Sequence, residues 1–208
     1  MIRLPRRLVR FAFGLLYGPM APLYDWVSRT FFLGQWELWQ QAALGFVEGR
    51  VLEVGAGTGA LQKVALERGF DWAALERSPQ MIREARRRFR AAGLPSRLVR
   101  GDASALPIEA AAVDHIVSTF PSEYIFAEDV QREMARVLRP HGSIIVVLAG
   151  VLRPEGAVGL ALDRLNRFIS GDPLPTADLG GPLGFTWSTH WVPSPRGRAL
   201  VLIGRRER

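Results

Sequence analysis

The chain has 208 residues, of which 48% are hydrophobic and 23% charged, with a formal net charge of +7 and no cysteine. That length and apolar content suit one globular domain with an appendage and exclude general disorder. Without cysteine there is no disulfide framework, no thiolate zinc site and no thiol nucleophile. Of the 27 basic residues only Lys63 is a lysine. GC-rich coding accounts for such a bias, and so does a surface for phosphate or anionic lipid, whose oxygens match the planar guanidinium.

Residues 1–24 carry Arg3, Arg6, Arg7 and Arg10 and no acid, and an uncharged stretch from Phe11 to Tyr24 is broken by Gly14, Gly18, Pro19 and Pro22. This run is too short and too broken for a membrane-spanning helix, and no small-x-small cleavage site follows it. It is expected to cap the domain or to lie on an anionic bilayer surface. From Thr30 to Val47 the pattern is helical, with Phe32, Trp36, Trp39, Ala43 and Phe46 on one apolar stripe that reads as core. Residues 1–48 therefore form a basic, aromatic helical arm, and 49–208 the main domain.

Beyond Gly49 strands and helices alternate. Val51–Val54 reads as a buried strand, followed by a glycine-rich turn and a helix over 60–68. Asp71–Leu75 is a second strand. Ser78 caps the next helix with Pro79 at its first position. That helix buries Met81, Ile82, Ala85 and Phe89 and turns Arg83, Arg86, Arg87, Arg88 and Arg90 outward. Short strands over 97–100 and 113–119, a helix over 128–138 and a strand over 143–148 complete an α/β pattern, a mostly parallel sheet covered on both faces. A helix is expected over 157–169 and a Gly/Pro-rich loop over 170–184. Strands over 185–192 and 198–204 then form an antiparallel hairpin across Pro193–Gly197.

Chemistry concentrates at Glu53-Val54-Gly55-Ala56-Gly57-Thr58-Gly59, where glycines between a strand and a helix let backbone approach a ligand. Glu76 ends the second strand, where a carboxylate can take both ribose hydroxyls of an adenosine. Ala60 occupies the place of the third glycine in a dinucleotide-binding G-x-G-x-x-G. Alanine is tolerated there, so the spacing leaves both kinds of cofactor open. A second acidic turn, Gly101-Asp102-Ala103, can meet an adenine amine. Two carboxylates along one ligand suit a cationic, phosphate-free adenosine better than a dinucleotide.

With these motifs the chain resembles the class I S-adenosylmethionine-dependent methyltransferases, nearest their quinone-biosynthesis and phospholipid N-methyltransferase group. The resemblance spans Arg50 to Leu148 and also rests on Glu76-Arg77-Ser78-Pro79-Gln80-Met81, Val113-Asp114-His115-Ile116-Val117-Ser118 and Glu133–Gly142. Tyr24-Asp25 extends it weakly upstream. It implies a three-layer α/β/α Rossmann-like fold, with a seven-stranded, mostly parallel sheet and an antiparallel last strand. It implies that Glu53 and Gly55 hold the methionine end of S-adenosylmethionine, Glu76 the ribose, and Asp102 and Ala103 the adenine. Ser118 and Thr119 line the floor near the sulfonium, and Tyr24 covers it. Ala56, Gly57, Gly59, Arg77 and Met81 complete the contact set. Arg77 stands where the family has an aliphatic residue, so its guanidinium either stacks on the adenine or leaves the site. His141 replaces a glycine and reads as a surface change.

Methyl transfer from a sulfonium needs alignment in a dry site, and a base only when the acceptor starts protonated. Tyr24, Glu123 and Tyr124 are the candidate catalytic residues. His115 reads as a hydrogen-bonded core histidine, Asp114 as structural, and His190 has a minor claim on the acceptor. No residue cluster has metal-ligand spacing, and Thr119–Tyr124 lacks the Asn/Asp-Pro-Pro-aromatic motif of nucleobase amino-methyltransferases. The expected reaction is methyl transfer to a small or lipid-like acceptor, a phospholipid amine or quinone precursor, leaving S-adenosylhomocysteine. The expected place is cytoplasmic, peripheral on the inner membrane face, and no nucleic-acid partner is expected. The alternatives are an NAD(P)-dependent oxidoreductase and a non-catalytic S-adenosylmethionine-binding module.

Overall fold

The computed structural model describes residues 34–153 and 185–206. Tyr24, the arm over 1–24, Phe32, the helix over 157–169 and the loop over 170–184 lie outside the described residues.

Seven strands form one sheet in the order β3-β2-β1-β4-β5-β7-β6. The strands are β1 Arg50–Val54, β2 Asp71–Glu76, β3 Leu98–Arg100, β4 Val113–Thr119, β5 Leu138–Leu152, β6 Phe185–Ser194 and β7 Gly197–Arg206. The first five are parallel where they pair, with Val51 opposite Trp72 on one side and His115 on the other. β7 runs antiparallel between β5 and β6. The central strands are apolar on both faces because helices cover both. The described helices are α1 Gln35–Gln41, α2 Ala60–Glu67, α3 Pro79–Ala92 and α4 Glu128–Val137.

Right-handed crossovers decide which face each helix takes. The chain steps from β1 to β2 to β3 in one direction and from β4 to β5 in the other, so α2 and α3 share one face and α4 takes the opposite one. Leu61 and Ala65 of α2, with Trp39 of α1, pack on Val51, Trp72, Val117 and Ile145. Ile82, Ala85 and Phe89 of α3 pack on Ala74 and Leu98. Val130, Met134 and Val137 of α4 pack on Leu52, Val54, Ile116 and Ile144. The strand order reverses between β1 and β4, and a ligand crevice opens at their carboxyl ends in such sheets.

The seven-stranded, mostly parallel sheet and its antiparallel terminal strands are as expected, with four local differences. The helical stretch around Trp36–Phe46 is α-helical only to Gln41 and continues as a 3-10 turn over Ala42–Phe46. β5 is longer at both ends than the 143–148 expectation, because Leu138 pairs with Val113 of β4 and β7 pairs with β5 out to Leu152. The hairpin turn is only Pro195-Arg196, since Ser194 pairs with Gly197 and Pro193 with Arg198. Pro193 is tolerated because β6 ends the sheet and one of its edges needs no donor. Arg88, expected to face outward, is half-buried and donates to Thr58 Oγ1 at 3.2 Å.

Candidate functional site

The turn after β1 carries Gly55, Gly57 and Gly59 at φ 81°, 55° and 70°, backbone that side-chain-bearing residues resist. Four of its N–H groups are already committed. Those of Gly55 and Ala56 donate to Leu75 O, that of Gly59 to Ala56 O, and that of Gly57 to Glu76 Oε2 at 2.8 Å. A pyrophosphate cradle works by aiming such donors at the ligand. Here those four are occupied, and two carboxylates stand beside the turn.

Glu76 is the hinge of this arrangement. Its Oε2 accepts from Gly57 and its Oε1 from Ser78 N at 2.7 Å, so the end of β2 ties the turn to the start of α3. Ser78 in turn caps α3 by accepting from Met81 N. The carboxylate is 8% exposed, and each oxygen keeps a further acceptor site. That pair of acceptors fits the two donating hydroxyls of a vicinal diol, and so fits the ribose of an adenosine cofactor. An open cleft of about 440 Å³ runs from Glu76 past Arg77, Ser78 and Gln80 to Arg100.

Glu53 is 1% exposed and accepts from the Trp72 indole N–H at 3.0 Å. Burial pushes its carboxyl up to about 8 from an ordinary 4.5; the Trp72 hydrogen bond opposes that rise and the Glu76 charge adds to it. A neutral acid at this point becomes a favourable anion when a cation arrives beside it.

Asp102 follows β3. It accepts from Ser104 N at 3.1 Å and Ser104 Oγ at 2.9 Å, which hold its carboxyl below the usual range, with a smaller contribution from the Arg77 charge. Arg77 Nε lies 3.5 Å from Asp102 Oδ2 while its side chain is 85% exposed, so the guanidinium bridges the two acidic turns across the cleft. Ala103 is buried in the core on the α4 side. Met81 is fully buried within α3's packing face.

At the end of β4, Ser118 Oγ donates to Val54 O at 2.8 Å, locking β4 to the strand that enters the glycine turn. Thr119 Oγ1 accepts from Gln40 Nε2 of α1 at 3.3 Å. Glu123 and Tyr124 lie in a 3-10 turn over Glu123–Phe126. The Tyr124 hydroxyl reaches over Gly55, only 2.6 Å from where a Cβ would stand. Glu123 is exposed at the start of the turn. The structure therefore brings Glu53, the glycine turn, Glu76, Ser118, Thr119 and Tyr124 to one carboxyl edge, with Arg77 and Asp102 at its β3 end.

His115 sits half-buried with Nδ1 2.7 Å from Ser143 Oγ, and Asp114 accepts from Arg50 N and Arg139, both away from this edge. His190 is exposed, beside Ser188 and the Phe46 ring. Two features at the edge are not signalled by sequence motifs. Phe120 holds φ 49°, unusual for a bulky residue, with its N–H on Val147 O and its ring stacked 3.9 Å from that of Trp36. Arg88 reaches back to the glycine turn, and its place in a run of arginines hides that role. Among the described residues no group of three or more His, Asp or Glu side chains could hold a metal.

Residues 51–142 match the family model of a methyltransferase domain. The chain is 32% identical over 167 residues to the demethylmenaquinone methyltransferase of Thermus thermophilus, covering 75% of this chain and 76% of that one. It is also 32% identical over 150 residues to the malonyl-[acyl-carrier protein] O-methyltransferase of Enterobacter lignolyticus, covering 69% and 58%. In fold it matches the crystal structure of an S-adenosyl-L-methionine-dependent methyltransferase from Methanococcus maripaludis, with TM-score 0.61, 20% identity, and 92% and 95% of the two chains covered. One from Aquifex aeolicus matches with TM-score 0.53 at 16% identity, covering 83% and 93%.

Proposed function

Since the chain belongs to the class I S-adenosylmethionine-dependent methyltransferases, we propose that its acceptor is a lipid-like quinone precursor. The observation that carries this reading is the alignment with a demethylmenaquinone methyltransferase over three quarters of both chains. The stacked Trp36–Phe120 pair beside Thr119 supports it by giving the edge an apolar wall.

When bound, S-adenosylmethionine supplies an electrophilic methyl group on a sulfonium. The protein's part is to orient and to exclude water. Glu76, already fixed by Gly57 and Ser78, accepts from the ribose hydroxyls. Asp102 would accept from the adenine amine, with the Arg77 guanidinium beside it. Glu53 becomes anionic beneath the methionine end. Ser118 and Thr119 form the floor under the reacting atoms. A hydroxylated ring is a stronger nucleophile once its proton is drawn away, and Tyr124, over Gly55, is the hydroxyl best placed to relay that proton, with Glu123 on the same turn. Tyr24 and the basic segment before it, with its aromatic residues, would bring the site to an anionic bilayer where such an acceptor dissolves.

The test is transfer of labelled methyl from S-adenosylmethionine to three acceptors. These are a demethylated naphthoquinol, phosphatidylethanolamine in vesicles and a malonyl thioester. Label on the quinol supports the reading. Label confined to the amine or the thioester carboxylate overturns the acceptor while leaving methyl transfer intact.

A further inference from the structure

The connection from β3 to β4 has no helix. β3 is three residues long, at the edge of the sheet, and the chain then runs from Gly101 to Ala112 before β4 begins. Loops of this length without secondary structure are normally loose, yet this one carries Asp102 and Ala103. It is fastened at its start by Gly101 N on Glu76 O, and at its end by Ala111 N and Ala112 N on the carbonyls of Arg136 and Val137. Its middle is held by two side chains of α4.

Arg136 and Glu133, one helical turn apart, form a bidentate pair, Nε to Oε1 and Nη2 to Oε2, both at 2.8 Å. The pair then grips the loop. Glu133 Oε2 accepts from Leu106 N at 2.9 Å, Arg136 Nη2 donates to Leu106 O at 3.0 Å, and Nη1 donates to Ile108 O at 2.8 Å. Both polar groups of Leu106 are thereby satisfied by side chains, as a neighbouring strand would do with backbone. The same bonds hold the Glu133 carboxyl below its ordinary range, those from Arg136 most of all. Leu106 and Ala103 are buried together against α4 and the sheet, which makes the clamp and the acidic turn one rigid piece.

We infer that Glu133 and Arg136 are positioning residues of the cofactor site, setting Asp102 and Ala103 against the adenine edge. The inference rests on the cofactor reading above. Only a planar fork with several donors can hold Glu133, Leu106 and Ile108 at once; a lysine ammonium cannot reproduce that geometry.

The experiment measures dissociation constants of S-adenosylhomocysteine and S-inosylhomocysteine, in which a carbonyl replaces the adenine amine, for wild type, Arg136→Lys, Glu133→Gln and Asp102→Asn. Wild type should prefer the adenosyl ligand by roughly tenfold, the scale of one hydrogen bond to a charged acceptor. Arg136→Lys should shrink that preference to about two- or threefold, and Glu133→Gln should fall between. A clamp that only supports the fold would weaken both ligands alike and keep their ratio, which overturns the inference. If Asp102→Asn also leaves the ratio unchanged, the placement of the adenine itself is what fails.

Discussion

Glu53 offers a prediction that separates stability from function. Glu53→Gln keeps the side chain's shape and an oxygen to accept from Trp72, but removes the ionisable proton. In the wild type the folded carboxyl titrates at about 8 and an exposed one at 4.5. Between those values the folded chain keeps a proton that the unfolded chain has released. Wild-type stability is therefore fully present below pH 4.5 with respect to this group and falls as pH rises, at up to about 1.4 kcal/mol per pH unit. From pH 4.5 to 7.5 the loss is about 4 kcal/mol, on the order of 10 °C in Tm for a chain of this size. Glu53→Gln should escape that loss, so its Tm advantage over wild type should grow between pH 5 and 8 and level off above. Thermal unfolding of both ligand-free proteins across this range is the assay. Parallel pH profiles would falsify the argument, because they would mean that Glu53 is not a buried neutral acid. The same group should make wild-type affinity for S-adenosylmethionine rise with pH up to about 8, while the glutamine variant binds more weakly and without that slope.

Two other outcomes follow from particular residues. His141 is exposed at φ 66°, where an L-residue is strained; His141→Gly should stabilise the protein by about 0.5–1 kcal/mol, read as a higher denaturant midpoint at unchanged slope. Gly150 lies under the Trp39 ring, which a Cβ would overlap. Gly150→Val should cost about 2–4 kcal/mol, the scale of overpacking plus local rearrangement, and chemical denaturation would show it; a loss below about 0.5 kcal/mol would mean that the ring is not seated there.

The difference between what the sequence revealed and what it concealed has a physical basis. Helix α3 was legible because its cap, its Pro79 and its apolar spacing all agree, and the structure confirms each. The turn after β1 and Glu76 were legible because a short contiguous motif encodes them. β5 was underestimated because a bulge between Val147 and Ala149 breaks its alternation, and because Ala149-Gly150 reads as loop. Gly150 is glycine for a reason far along the chain, the Trp39 ring. The Glu133–Arg136 clamp was invisible for a related reason. An acid and an arginine three apart on a helix read as a solvated pair, and only the fold brings Leu106 and Ile108 beneath them. Long-range contacts of this kind leave no local signature.

The central claim is that Glu76 holds the ribose of S-adenosylmethionine beside a glycine turn whose Gly55, Ala56, Gly57 and Gly59 N–H groups are bonded within the protein and not aimed at a pyrophosphate. Isothermal titration of S-adenosylhomocysteine and of NAD into wild type and Glu76→Gln tests it most directly. Wild type should bind S-adenosylhomocysteine saturably and NAD not at all, and Glu76→Gln should weaken that binding at least about tenfold, since charge-assisted hydrogen bonds are the strong ones. Unchanged affinity in the variant, or saturable binding of NAD to the wild type, would contradict the account.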